Sequence, residues 1–178
     1  MKNESEFKSL FKRSVTRDKG FSLSLAAPMV VGIPDLFVAM PGYIPILLEA
    51  KWLGELKKDN FSRKVQFTAM QITWIESCCK INPYIAMGLI GMYYRDDIYA
   101  VLVAYNTPEF NQFTNSFLTN CSYSIRSKET KLFDVSGMFA RVPIPKIENP
   151  DDATRYAEPL ALPDTTEGST TRSLSERV

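Results

Sequence analysis

Gly32-Ile33-Pro34-Asp35-Leu36-Phe37-Val38 and, with thirteen residues between Asp35 and its first residue, Glu49-Ala50-Lys51 are the two stretches from which the rest of this chain is best read. Neither is informative alone, since Pro-Asp recurs at Pro150-Asp151 and Pro163-Asp164, and Glu-x-Lys at Glu55-Leu56-Lys57 and Glu129-Thr130-Lys131. Only this pair falls on two neighbouring predicted strands, Asp35–Met40 and Ile46–Lys51, with Pro41-Gly42 and Pro45 bracketing the turn between them. Pro-Asp opens the first strand and Glu-x-Lys closes the second. Glu49 and Lys51 are two apart on a strand, so both side chains leave the same face of the sheet. They follow Ile46-Leu47-Leu48, a run apolar enough to be buried on both sides. A carboxylate and an ammonium placed there cost several kcal/mol unless a metal or a partner compensates them.

Working outward, Asn3-Glu4-Ser5-Glu6 opens a predicted helix in the manner of a capping box. Phe7, Leu10, Phe11 and Val15 recur at helical spacing, and Lys19-Gly20 is the expected stop, with Gly20 in the left-handed position. Phe21–Leu25 alternates strictly and predicts a half-buried strand. Residues 53–61 predict a polar loop, and 62–80 a second helix with a stripe of Phe67, Trp74, Ile75 and Cys78. Tyr84–Met92 and Ile98–Tyr105 predict two strands joined by Arg95-Asp96-Asp97. A helix is expected over 108–118, then short segments at 121–126 and 131–142. From Lys146 onward Pro, Thr, Ser, Asp and Glu dominate, which predicts a disordered acidic tail over 146–178. The α-β-β-β-α-β order predicts an α/β domain over 1–145, core 4–105, with a mixed central sheet flanked by helices.

Composition narrows the chemistry. The chain has no histidine, which excludes Ser-His-Asp triads, Cys-His pairs, HNH-type sites and His-ligated zinc, and leaves carboxylates, Lys, Tyr, Ser and Cys. Its three cysteines are odd in number and form no C-x-x-C pair, so neither a zinc site nor a disulfide framework is expected. The polar opening run and the short apolar runs predict no signal segment and no membrane span, hence a soluble protein of a reducing, cytoplasmic compartment. Charge is uneven: residues 1–64 hold 11 Lys/Arg against 7 Asp/Glu, 65–145 hold 6 of each, and 146–178 hold 4 against 7. A basic N-terminal third suits a polyanionic partner.

With those residues in place, the chain resembles the PD-(D/E)XK nuclease superfamily, most closely its virus-type replication-repair branch (VRR-NUC) and the related Holliday-junction resolvases. Gly-Ile-Pro-Asp-Leu-Phe-Val at 32–38 and Leu-Leu-Glu-Ala-Lys at 47–51 carry the likeness, which covers roughly residues 4–92. It implies a restriction-endonuclease-like core in which Asp35, Glu49 and the backbone carbonyl of Ala50 hold magnesium, with manganese as the alternative. Lys51 would orient or help deprotonate the attacking water. The resemblance also implies a carboxylate from the first helix, for which Glu6 is chosen and Glu4 is the rival. It implies a catalytic glutamine on the second helix as well. Gln71 is taken for that role, because at 100° per residue it falls within the apolar stripe while Gln66 points away.

The expected function is thus a Mg-dependent endodeoxyribonuclease of phage or mobile-element type acting in replication, recombination or repair, with DNA as partner. Lys57, Lys58, Arg63 and Lys64, with Lys12, Arg13, Arg17 and Lys19, are expected to track the nucleic-acid backbone. A resolvase would form a two-fold homodimer. The alternative is a non-catalytic nucleic-acid-binding or virion-associated protein that keeps the nuclease fold.

Overall fold

The computed structural model describes residues 3–25, 32–57, 61–126 and 131–147. Asn3 starts the first helix: its backbone is extended and its side chain accepts the N–H of Glu6 at 2.9 Å, so that Glu4–Arg17 (α1) follows. Phe7, Leu10, Phe11, Ser14 and Val15 form its buried stripe. The helix ends at Asp18, and here Lys19, at φ 63°, takes the left-handed position that Gly20 was expected to hold. Gly20 is needed for space instead, since a Cβ there would stand 2.8 Å from Val15 and 2.9 Å from the carbonyl of Ala39.

The central sheet is mixed and mostly antiparallel. Phe21–Ser24 (β1), Leu36–Ala39 (β2) and Ile46–Leu56 (β3) form a meander, each antiparallel to the next. Ala69–Cys79 (α2) then crosses over, so that Ala86–Tyr94 (β5) lies parallel to β3. Between β3 and α2 a short strand, Ser62–Lys64 (β4), stands outside this sheet. Asp97–Ala104 (β6) returns antiparallel to β5 through Arg95 and Asp96, both at positive φ as the tight turn requires. Ser122–Arg126 (β8) completes the order β1-β2-β3-β5-β6-β8.

Four expectations are corrected. Phe21 and Leu23 are 59 % and 51 % exposed, so the apolar side of β1 faces out, as an edge strand allows. The expected loop over 53–61 begins as strand, because β3 continues to Leu56 past a bulge with Gly54 at φ 74°. The helix expected from residue 62 starts at Ala69, since β4 pairs with Gln112–Thr114 (β7). The helix expected over 108–118 is broken into Pro108–Asn111 (α3), β7 and Phe117–Asn120 (α4).

That break has a packing cause. Phe110, Phe113 and Phe117 are fully buried: Phe113 and Phe117, stacked at 5.0 Å, meet Phe61, Tyr94 and Tyr99, while Phe110 packs on Phe67 and Tyr105. A continuous helix would spread the three rings along one side; two turns flanking a strand gather them over the sheet.

Val135–Arg141 (α5) is anchored from α1. Asp18 accepts the N–H groups of Val135 and Ser136 at 2.7 and 3.0 Å, and Ser14 accepts that of Phe133 at 3.0 Å. Lys146 bridges to Tyr43, and the tail expected over 146–178 lies, from residue 148 on, outside the described residues. No helix among the described residues is long and apolar enough to cross a membrane.

Candidate active site

Asp35 stands where β2 begins. Continuing the β2–β3 register one step past the Leu36–Leu48 pair sets Asp35 across from Glu49, so the two carboxylates share one face of the sheet. Beyond that step β2 has ended, and the Asp35 side chain takes over its role: Oδ2 accepts the N–H of Ala50 at 3.0 Å. Oδ1 accepts the ammonium of Lys8, on α1, at 2.8 Å. Lys8 is also 3.6 Å from Glu4, one helical turn before it.

Glu49 is 2 % exposed and faces two donors. The Lys51 Nζ lies 2.9 Å from Oε1, and the Gln71 Nε2 donates to the same oxygen. Both hydrogen bonds that Glu49 receives among the described residues go to Oε1, which leaves Oε2 for a further partner. Burial pushes the Glu49 carboxyl up to about 7; the Lys51 ammonium opposes this, while the charges of Asp35 and Glu4 add to it.

Gln71 is fixed from behind. Its Oε1 accepts the Thr68 N–H at 2.8 Å, and its own N–H donates to the Thr68 hydroxyl at 3.2 Å, a reciprocal cap at the start of α2. One amide thus caps the helix and turns its NH₂ toward Glu49. The Lys51 Nζ also sits 5.6 Å above the Phe67 ring, which is stacked on Phe110 at 4.3 Å.

The structure therefore brings together Asp35, Glu49, Lys51 and Gln71. It places Glu4, not Glu6, on the side of the site. Glu6 is exposed and, two residues on, points roughly 200° around the helix from Glu4. Arg63 and Lys64 join Glu4, Lys51, Trp52 and Gln66 around a cleft of about 470 Å³ beside the carboxylates. Arg63 is held there by a hydrogen bond to the Leu53 carbonyl. Lys57 stands at the far end of β3, 3.7 Å from Glu55 and beside Tyr93 and Arg95. Lys58 lies outside the described residues.

Two contributors escaped the sequence reading. Lys8 carries no motif, although its i,i+4 spacing from Glu4 is visible. Thr68 was legible, because Thr68-Ala69-Met70-Gln71 spells a capping box.

Among the described residues no three His, Cys, Asp or Glu side chains gather closely enough to hold a metal by themselves. The donor set is narrower: two carboxylates on facing strand positions, one with an oxygen left over, beside the Ala50 backbone. All are hard oxygen donors, and with water they fit a magnesium ion.

Neither a scan against protein-family models nor a search of curated proteins finds a match for this chain.

Proposed function

We propose that this chain is a metal-dependent nuclease of the PD-(D/E)XK type that hydrolyses DNA phosphodiester bonds, with a phage or mobile-element role in replication, recombination or repair. The observation that carries the reading is the meeting of Asp35, hydrogen-bonded to the Ala50 N–H where β2 begins, with the neighbouring Glu49, to which Lys51 is paired. The element order supports it too, since a helix, three antiparallel strands, a crossover helix and a parallel fourth strand are what a restriction-endonuclease-like core comprises.

Asp35, Glu49 and the Ala50 carbonyl would hold the cation, which when bound would supply charge to the scissile phosphate and lower the pKa of a water. Gln71 holds Glu49 in one orientation, its own amide locked by Thr68. Lys51 places its ammonium next to Glu49, where it orients the attacking water and offsets charge gathering on the phosphate. Arg63 and Lys64 border the adjoining cleft and bind the flanking phosphates of the substrate. Lys8 balances the charge of Asp35 and keeps its carboxylate aligned.

Cleavage assays on supercoiled, single-stranded and four-way-junction DNA with Mg²⁺ test the proposal. Asp35→Ala and Glu49→Ala should each abolish cleavage and retain DNA binding. Absence of cleavage of every substrate with either Mg²⁺ or Mn²⁺ contradicts it and leaves a binding protein on the same scaffold.

A further inference from the structure

On the opposite side of Lys8 from the Arg63–Lys64 cleft, α1 and β1 enclose a second groove, of about 440 Å³. Its lining is unusual in kind. Lys8, Lys12 and Arg13 contribute the charge, and the rest are hydroxyls, among them Ser9, Ser22 and Ser24. Among the described residues, no lining side chain is acidic or apolar. The groove exists because β1 sets Ser22 and Ser24 toward α1, Ser24 still exposed and bonded to Lys12, while Phe21 and Leu23 leave the other face.

The basic residues of α1 also differ in how they are balanced. Lys8 is neutralised by Asp35 and Glu4, and Arg17 by Asp18 at 2.7 Å. Lys12 and Arg13, between them, have no carboxylate partner among the described residues. The Lys12 ammonium is braced by the Ser24 hydroxyl at 3.0 Å, which leaves further N–H groups for a ligand. Lys8, which lines the groove, donates to Asp35, so the groove ends beside that carboxylate; Ser24, paired with Leu36, lies on the face of the sheet opposite Glu49.

We propose that this groove binds the phosphodiester backbone of the nucleic acid as it leaves the Asp35–Glu49 site. A surface of cations and hydroxyls matches an anion rich in acceptor oxygens and short of donors. Among the described residues no apolar side chain lines the groove, which disfavours an acyl chain. The inference rests on the reading of the site as phosphodiester-cleaving and names the second contact surface of that substrate.

The test is fluorescence anisotropy of the full chain in EDTA, with a labelled DNA duplex and a labelled single strand across a range of salt. For Lys12→Glu/Arg13→Glu the dissociation constant should rise at least about tenfold and the salt slope should fall by about two, with an unchanged thermal midpoint. Lys12→Gln/Arg13→Gln, which removes charge without reversing it, should show the same direction with a smaller rise. An unchanged affinity and slope overturn the proposal, as does wild-type binding to phosphatidylserine vesicles with none to DNA. The two readings fail separately. A chain that cleaves DNA but ignores both variants sinks the groove alone; a chain that binds through Lys12 and Arg13 yet cuts nothing sinks the nuclease.

Discussion

The two ends of the α2 crossover show opposite solutions to burial. Under the start of α2, Glu49, Lys51, Gln71 and Asp35 gather polar and charged groups in a half-closed edge of the sheet. Toward β6 and β8, Phe61, Tyr94, Tyr99, Phe113 and Phe117 form a ring cluster. The second region stabilises by burying apolar area; the first offsets the desolvation of its charges only by pairing them. Under the proposed function, stability and chemistry fall to different residues, and substitutions should separate them.

The largest effect on stability belongs to the rings. Phe117→Ala should lower unfolding free energy by about 3–5 kcal/mol, read as a fall in the urea midpoint. The folded fraction should cleave DNA at the wild-type rate. A similar loss of cleavage per folded molecule would break the separation.

Gln71 sharpens the comparison from the other side. Gln71→Glu preserves the side chain that reaches back to the Thr68 N–H, so α2 should persist by circular dichroism. It also turns a carboxylate toward Glu49, and cleavage should fall by about 10- to 100-fold. Gln71→Ala loses the cap as well and should destabilise the fold by about 1 kcal/mol.

Asp18 gives a pH-dependent effect far from the site. Burial would raise its carboxyl pKa, but hydrogen bonds from Arg17, Ser136 and Val135 outweigh that and hold it below the ordinary carboxylate value of 3.8. A folded-state pKa below the unfolded one means stability that is present above the unfolded pKa and is lost as pH falls through the folded one. Asp18→Ala should therefore cost about 1 kcal/mol near neutrality, and the gap in thermal midpoint should close in strong acid. A gap that stays constant with pH contradicts this role. The smallest effect is expected at Lys57, whose exposed pair with Glu55 should leave stability within about 0.5 kcal/mol when Lys57 becomes Ala.

What could be read in the sequence follows the range of the interactions involved. Asp35, Glu49 and Lys51 were legible because strand alternation and a short turn between consecutive strands are local facts. Gln71 was reached by an argument that treated Gln66 and Phe67 as helical, although α2 begins only at Ala69. The residue is the right neighbour of Glu49 because Thr68 sets the helix start, and that capping box was the better signal. β4 had no such signal: Ser62, Arg63 and Lys64 are all exposed, and they form a strand only because β7 pairs with them fifty residues later. Phe110, Phe113 and Phe117 have helical spacing, yet Phe61 and the rings of β5 and β6 gather Phe113 and Phe117 while Phe110 stacks on Phe67. Glu4 and Glu6 were separable only once the side of α1 facing Asp35 was known.

The central claim is that Asp35 and Glu49 jointly seat a divalent cation. Calorimetric titration of the chain with Mn²⁺ tests it most directly, beside Asp35→Ala and Glu49→Ala variants verified as folded. The account predicts saturable binding by the wild type that either substitution removes. Binding unchanged in both variants, or none in the wild type, would contradict it.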